Sequence, residues 1–364
     1  MWCKSFVGYL YLEEIIGTRH SNNVIKRVTL YNRSAPKKTV NDDDSEPLTL
    51  TYYPPNQKYK VTNFLDSEPN CSGEACDLNL GRTKIEVIPH KKLLCIPISK
   101  CLTVNIKTRH RYEEVKEFID SIHLYYPALR IVVMDEFNPD YETTKWADIM
   151  SNSPLITYAQ VKPGVGYGRM LAARLSPTKY VLVADDDYIF SDKTNITKLV
   201  DIMENSDADI VAGTTDDFFP FAGAIRVSSE NDKCLLSLYP GIFYEVIPNY
   251  KNCYQVDIGK TFFVARRDVI LDAGSWDVSR PFYEHEDFFF QMRKSRLKIA
   301  YCDDIIVRHV PKSRKLAKLR KNYFEDLKVA LMEKWKIDDY FSCSSPMTYF
   351  KMETCPSAKR RHFR

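Results

Sequence analysis

The segment Lys179 to Phe190, KYVLVADDDYIF, carries three successive carboxylates, Asp185, Asp186 and Asp187, at the end of an apolar run. A short run rich in Val and Leu reads as a buried strand, so the three aspartates leave the core together where that strand stops. Like charges this close disfavour one another's ionised form unless a cation joins them. Hard oxygen ligands on one turn suit Mn²⁺ or Mg²⁺, an ion that keeps coordination positions open for substrate phosphates. A solvated acidic turn would use the same residues, and D-x-D spacing alone does not separate the two.

A second cluster lies in PFYEHEDFFF, where Glu284, His285, Glu286 and Asp287 come directly before three phenylalanines. That order places the acids at a helix N-terminus, where unpaired N–H groups and the helix dipole favour negative charge. Asp287 can serve there as a cap. Held ionised, it is also suited to take a proton from a hydroxyl nucleophile, with Glu286 competing for that role. About twenty residues later, IIVRHV ends in His309, whose neutral imidazole can complete a metal site with Asp185 and Asp187 or can simply be hydrogen-bonded at a strand end.

These groups need a scaffold, and the pattern from about residue 95 to 310 supplies one. CLTVNIKT reads as a strand. RYEEVKEFIDSIHLYY reads as a helix with Val115, Phe118, Ile119 and Ile122 on one face, stopped at Pro127, and LRIVVMDE is the next strand. LITYAQV, the turn and helix GVGYGRMLAARLSP, the aspartate strand, the helix TNITKLVDIMENS and the strand ADIVAG continue the alternation, which predicts a mostly parallel α/β sheet flanked by helices. Ligands of such sheets sit beyond the carboxyl ends of the strands, where Thr108, Arg109, Asp135 and Asp185 to Asp187 fall. GVGYGR lacks G-x-G-x-x-G spacing and does not follow the first strand, which argues against a dinucleotide fold. Arg169 there points toward a nucleotide or pairs with a carboxylate.

Residues 1–90 read as a small β-rich or irregular lead-in with an acidic patch at NDDDSEP, residues 91–315 as the chemical unit, and 316–364 as a C-terminal helix and basic tail. The chain has 364 residues, 44% of them hydrophobic, enough for a sizeable core. With 52 basic and 48 acidic residues the charge nearly balances, so nucleic acid is not an expected partner. The basic C-terminal stretches fit a solvated face or proximity to an anionic membrane surface. Ten cysteines lack paired C-x-x-C spacing, which favours disulfides, Cys71 with Cys76 being near enough for a small loop. Sequons at Asn32, Asn70 and Asn195 agree with a secretory setting. No run reaches about 18 apolar residues, so membrane anchoring or delivery is not explained by a spanning segment in this sequence.

KTRHRYEEVKEFIDSIHLYYPALRIVVMDE, GYGRMLAARLSPTKYVLVADDDYIF, QVDIGKTFFVARRDVI and HEDFFFQMRKSRLKIAYCDDIIVRHV follow one another in an order and spacing that resembles the β-1,4-N-acetylgalactosaminyltransferases of the ganglioside and Sd(a) type, within the GT-A glycosyltransferases. The resemblance covers about residues 95 to 315. It implies the GT-A nucleotide-sugar-binding fold, residence in the Golgi lumen and inverting, metal-dependent transfer of a sugar, N-acetylgalactosamine, from a UDP-sugar to a glycan or glycolipid hydroxyl. It further implies that Asp185, Asp187 and His309 hold Mn²⁺ (or Mg²⁺), that Thr108, Arg109, Asp135 and Asp186 contact the nucleotide, and that Asp287 or Glu286 is the base; Arg169 joins the candidate nucleotide contacts from its place in the glycine-rich turn alone. Trp276, Tyr283 and Glu284 are the candidate sugar contacts, the two aromatics having core packing as their alternative role. A glycoside hydrolase, which also uses paired carboxylates, and a non-catalytic sugar-binding protein of the same fold are the competing readings.

Overall fold

The computed structural model describes residues 83–88, 95–137, 153–217, 221–230, 233–278, 284–310 and 328–342, with short strands at 16–20, 23–27 and 60–61. Tyr283, Cys71, Cys76, Asn32, Asn70 and the acidic patch near residue 43 lie outside the described residues.

An antiparallel hairpin of β1 (Ile16–His20) and β2 (Asn23–Arg27) and a short strand β3 (Lys60–Val61) precede the main unit. That unit begins with β4 (Leu102–Thr108), α1 (Tyr112–Tyr125), β5 (Arg130–Glu136), β6 (Ile156–Val161), α2 (Val165–Leu175) and β7 (Tyr180–Asp185). It continues through β8 (Tyr188–Ile189), α3 (Ile196–Asn205), β9 (Ile210–Thr215), β10 (Gly223–Glu230), β11 (Lys233–Pro240), β12 (Ile242–Phe243), β13 (Cys253–Val256) and β14 (Phe262–Arg266). It closes with α4 (Arg267–Asp272), α5 (Glu284–Lys294), β15 (Ile299–His309), a helix α6 at residues 328–335 and β16 (Asp339–Ser342).

The expected elements form for the expected reasons. Val115, Phe118, Ile119 and Ile122 are all buried on α1, which stops before Pro127 because the residue preceding a proline is pushed out of the α region. Asn195 caps α3 by accepting the Lys198 amide at 3.1 Å. Gly164 precedes α2 at φ +136°, which a side chain would strain, and a Cβ on Gly168 would lie 2.3 Å from Lys107 Cδ. The glycines of GVGYGR therefore serve a turn and a close packing contact.

The central sheet runs β13–β15–β9–β14–β7–β4–β5–β6. Strands β4, β5, β6 and β7 pair in parallel, and β4 is buried along its whole length between helix layers. The sequence pattern did not announce the antiparallel β14 wedged between β7 and β9. The sheet is mixed in that half, with β13 also antiparallel to β15.

A second sheet orders β10–β11–β16. Through β16 and α6 the C-terminal region joins the main core, where Leu331, Trp335, Ile337 and Tyr340 are buried. Cys253 bonds to Cys302 and Cys95 to Cys101, and Cys234 is also disulfide-bonded. Among the described residues no helix is long and apolar enough to cross a membrane.

Candidate active site

At the carboxyl ends of β4 and β7 a cleft of about 550 Å³ is lined by Thr108, Arg109, Arg111, Arg169, Asp185 to Asp187, Lys260, Glu284 to Glu286 and His309, among others. Strand termini, the N-terminus of α5 and the end of β15 thus meet at one place. His309 arrives because β8, directly after the aspartates, pairs with the last residues of β15, setting His309 opposite Tyr188.

Two arginines hold the three aspartates, Arg169 at Asp185 and Arg111 shared between Asp186 and Asp187. Asp185 takes Arg169 at 2.6 Å and the Tyr188 hydroxyl at 3.3 Å. Asp186 is buried, accepting the Thr108 hydroxyl at 2.6 Å and Arg111 at 2.7 Å; burial outweighs the Arg111 charge and pushes its carboxyl up to about 7. Asp187 meets Arg111 at 3.1 Å and His309 Nε2 at 3.6 Å. Burial opposes its ionisation, but His309 and Arg111 together hold its pKa below the usual range.

On the far side of the His309 ring, Nδ1 lies 2.8 Å from Asp217. In the ion-free protein the contacts with Asp187 and then Asp217 raise this imidazole to about 9. A carboxylate on one ring nitrogen with the other nitrogen facing an acidic group is the donor arrangement of metal-ligating histidines, so Asp187 and His309 fit a divalent ion. Among the described residues the ligand atoms of Asp185, Asp187 and His309 do not all converge within 4.8 Å, Asp185 being turned to Arg169. The trio Cys253, Cys302 and Asp304, which does converge, is a disulfide beside a carboxylate and not a metal site.

Arg169 is buried and spans the two acidic clusters, with Glu284 at 3.3 Å on its other side. Arg109 lines the cleft, half exposed and 3.3 Å from Glu136. Asp135 is fully buried, accepting the His110 amide at 2.9 Å and the Tyr158 hydroxyl at 3.2 Å, and sits behind the cleft wall. His285 meets the Thr261 hydroxyl at 3.0 Å; burial, helped by Arg169 and Lys260, depresses its imidazole to about 3, so it is neutral at working pH.

Asp135, expected at the nucleotide, is thus withdrawn from the cleft surface, and two further expectations are corrected by position. Trp276 is buried and stacked on Phe288 at 4.4 Å and 16°, so it is a core residue and offers no sugar-facing surface. Asp287 is absent from the cleft lining. It is 1% exposed, its Oδ1 accepting Trp335 Nε1 at 2.8 Å and its Oδ2 accepting Lys334 Nζ at 2.8 Å, which ties α5 to α6. Glu286, one residue earlier, lines the cleft.

Arg111, Asp217 and Lys260 were not anticipated. Asp217 carried the signal already used for Asp185, an acid just past an apolar strand, in ADIVAGTTDD. Arg111 had no such signal, since Arg109 and Arg111 both follow β4 and only the start of α1 decides which one turns to the aspartates.

Residues 103–273 match the family Glycosyl transferase family 2. The chain is 30% identical to β-1,4 N-acetylgalactosaminyltransferase 1 of Rattus norvegicus over 59% of this chain and 40% of that protein. It is 29% identical to β-1,4 N-acetylgalactosaminyltransferase 2 of Mus musculus over 62% and 43%. The aligned part thus spans about two fifths of these curated relatives. Residues 1–349 of S. aureus TarS, solved in complex with UDP-GlcNAc, overlay at 12% identity and a TM-score of 0.45, covering 63% of this chain and 65% of that one.

Proposed function

Starting from a glycosyl transferase family 2 domain at residues 103–273, we propose that this chain transfers a sugar from a UDP-sugar to a hydroxyl of a glycan or glycolipid, with inversion at the anomeric carbon. The observation that carries this reading is one cleft uniting an aspartate-rich strand end, two arginines and a second acidic cluster at a helix N-terminus. The relatives' name supports N-acetylgalactosamine as the sugar. The disulfides of the core support a secretory-lumen setting, the Golgi among such compartments.

In the reaction the acceptor oxygen bonds to the anomeric carbon, the bond from that carbon to the diphosphate breaks, and the electron pair leaves on UDP. Catalysis must stabilise the negative charge that develops there. Arg111 and Arg169 bring positive charge to that end of the cleft. Asp187 and His309 would hold a divalent ion, which when bound supplies Lewis-acid stabilisation of the leaving diphosphate. The acceptor proton goes to a carboxylate of the second cluster. Glu286 lines the cleft while Asp287 is held by Lys334 and Trp335, which favours Glu286 as the base. Neutral His285 and the Thr261 hydroxyl, hydrogen-bonded to each other, keep the adjoining wall of the cleft uncharged.

The test is release of UDP from a panel of UDP-sugars, with and without Mn²⁺ and an acceptor glycan. Acceptor-stimulated, chelator-sensitive release from UDP-N-acetylgalactosamine is expected. A protein that neither binds UDP with Mn²⁺ nor cleaves any UDP-sugar would overturn the reading, and cleavage of free glycosides would return it to a hydrolase.

A further inference from the structure

His309 is gripped by a loop that the function just proposed leaves without a role. Directly after β9, Asp216 Oδ1 accepts the His309 amide at 2.7 Å, and Asp217 places its two oxygens 2.9 and 2.8 Å from His309 Nδ1. Asp217 is itself fixed, accepting the Thr215 hydroxyl at 2.9 Å and Lys260 Nζ at 3.2 Å. The Tyr188 ring stands edge-on to the imidazole, with centroids 5.6 Å apart. Asp187 holds the neighbouring backbone through the Val310 amide at 2.9 Å.

The chemistry of this arrangement is one-directional. A carboxylate can only accept, so Asp217 holds a hydrogen on Nδ1, and when an ion takes the place of the Nε2 hydrogen it is the Nε2 lone pair, on the side facing Asp187, that is left to ligate it. A histidine whose second nitrogen is held this way is oriented and made more basic as a ligand, and loss of the holding group typically costs about 10- to 100-fold in metal affinity.

We propose that Asp217 is a positioning residue that locks the His309 ring and tautomer so that Nε2 can ligate the divalent ion. This rests on the reading of Asp187 and His309 as metal ligands. The same carboxylate reaches Lys260, a cleft residue, so one loop after β9 sets both a ligand and a cation of the cleft.

The test compares Mn²⁺ affinity by calorimetry in the whole protein and in Asp217→Asn, with His309→Gln as the reference for ligand loss. Asp217 is about one third exposed, so its amide introduces no buried unpaired group. The expected result is binding weakened about 10- to 100-fold in Asp217→Asn and abolished in His309→Gln. Long-range ¹H–¹⁵N spectra with Mg²⁺ should show a single Nδ1–H tautomer for His309 in the parent and a mixture in Asp217→Asn. Should that variant fold poorly, Thr215→Val, which removes one support of the carboxylate, should weaken Mn²⁺ binding in the same direction by a smaller factor. Parent-like affinity and an unchanged tautomer in the folded Asp217 and Thr215 variants overturn the proposal while leaving the metal site standing. Absence of Mn²⁺ binding in the parent instead overturns the metal reading itself, and this inference with it.

Discussion

Changing Asp287 to Asn isolates the consequence of its placement. Its carboxylate holds Lys334 and Trp335, and Asn retains an acceptor for only one of them while presenting an amide donor to the other. Breaking a fully buried ion pair costs about 3 to 5 kcal/mol. Lys334 is 27% exposed and keeps Asp277 at 2.9 Å, so the loss is nearer that of one charged hydrogen bond, about 2 kcal/mol. At about 2 to 4 °C per kcal/mol for a domain of this size, Tm should fall by about 4 to 8 °C. Glu286→Gln alters a cleft-lining group and should leave Tm within about 2 °C of the parent, the span of about 0.5 kcal/mol on the same scale, while kcat falls by about 10² to 10⁴. Thermal unfolding and initial rates of UDP release, both on freshly purified protein, measure the two effects separately. An Asp287→Asn protein with parental Tm and turnover reduced 100-fold or more would refute this reasoning, making Asp287 the base and its contacts with α6 those of a catalytic group.

Arg111→Gln removes the charge shared by Asp186 and Asp187, so the ion-free protein should melt earlier and bind UDP more weakly; unchanged values for both would show that the guanidinium neutralises neither. Asp303, with its pKa raised to about 6 by burial and then by Asp304, binds its proton more tightly folded than unfolded. Stability is therefore lost as pH rises from about 4 to 6. Asp303→Asn should raise Tm at pH 7 and change little below pH 4, and equal Tm differences at both pH values would refute the assignment. The Cys253–Cys302 bond closes a loop with sequence separation 49, which on chain-entropy grounds stabilises by about 4 kcal/mol. Reductant should lower Tm accordingly, and mass spectrometry of secreted protein should find those two thiols blocked.

Much of the scaffold was legible because it is written in local periodicity. The buried stripe of α1 and the run that becomes β4 each carry their pattern within one element. The place of β14 was not legible, since FFVAR reads as an apolar strand in either direction and its neighbours, β7 and β9, are set by tertiary pairing. The acidic cluster of α5 shows a finer limit. Successive helix residues project about 100° apart, so which of Glu286 and Asp287 faces the cleft depends on how α5 is rolled against α6, a contact made 47 residues downstream. Trp276 was ambiguous for a related reason, because a large aromatic suits a sugar face and a core equally well until Phe288 is seen beneath it.

The antiparallel insertion of β14 has a consequence for how the chain reaches its native state. Strands β4 through β7 can assemble from neighbouring βαβ units as they emerge, whereas β9 has no seat beside β7 until β14, about 50 residues later, has folded back between them. Contacts of that sequence separation form late and slow the overall rate. The aspartates therefore stand at the open edge of a half-built sheet, and the histidine that faces Asp187 is delivered only when the second half, ending in β15, has docked. A nascent chain released before β14 would expose the apolar edge of β7, an unpaired strand edge of the kind chaperones protect.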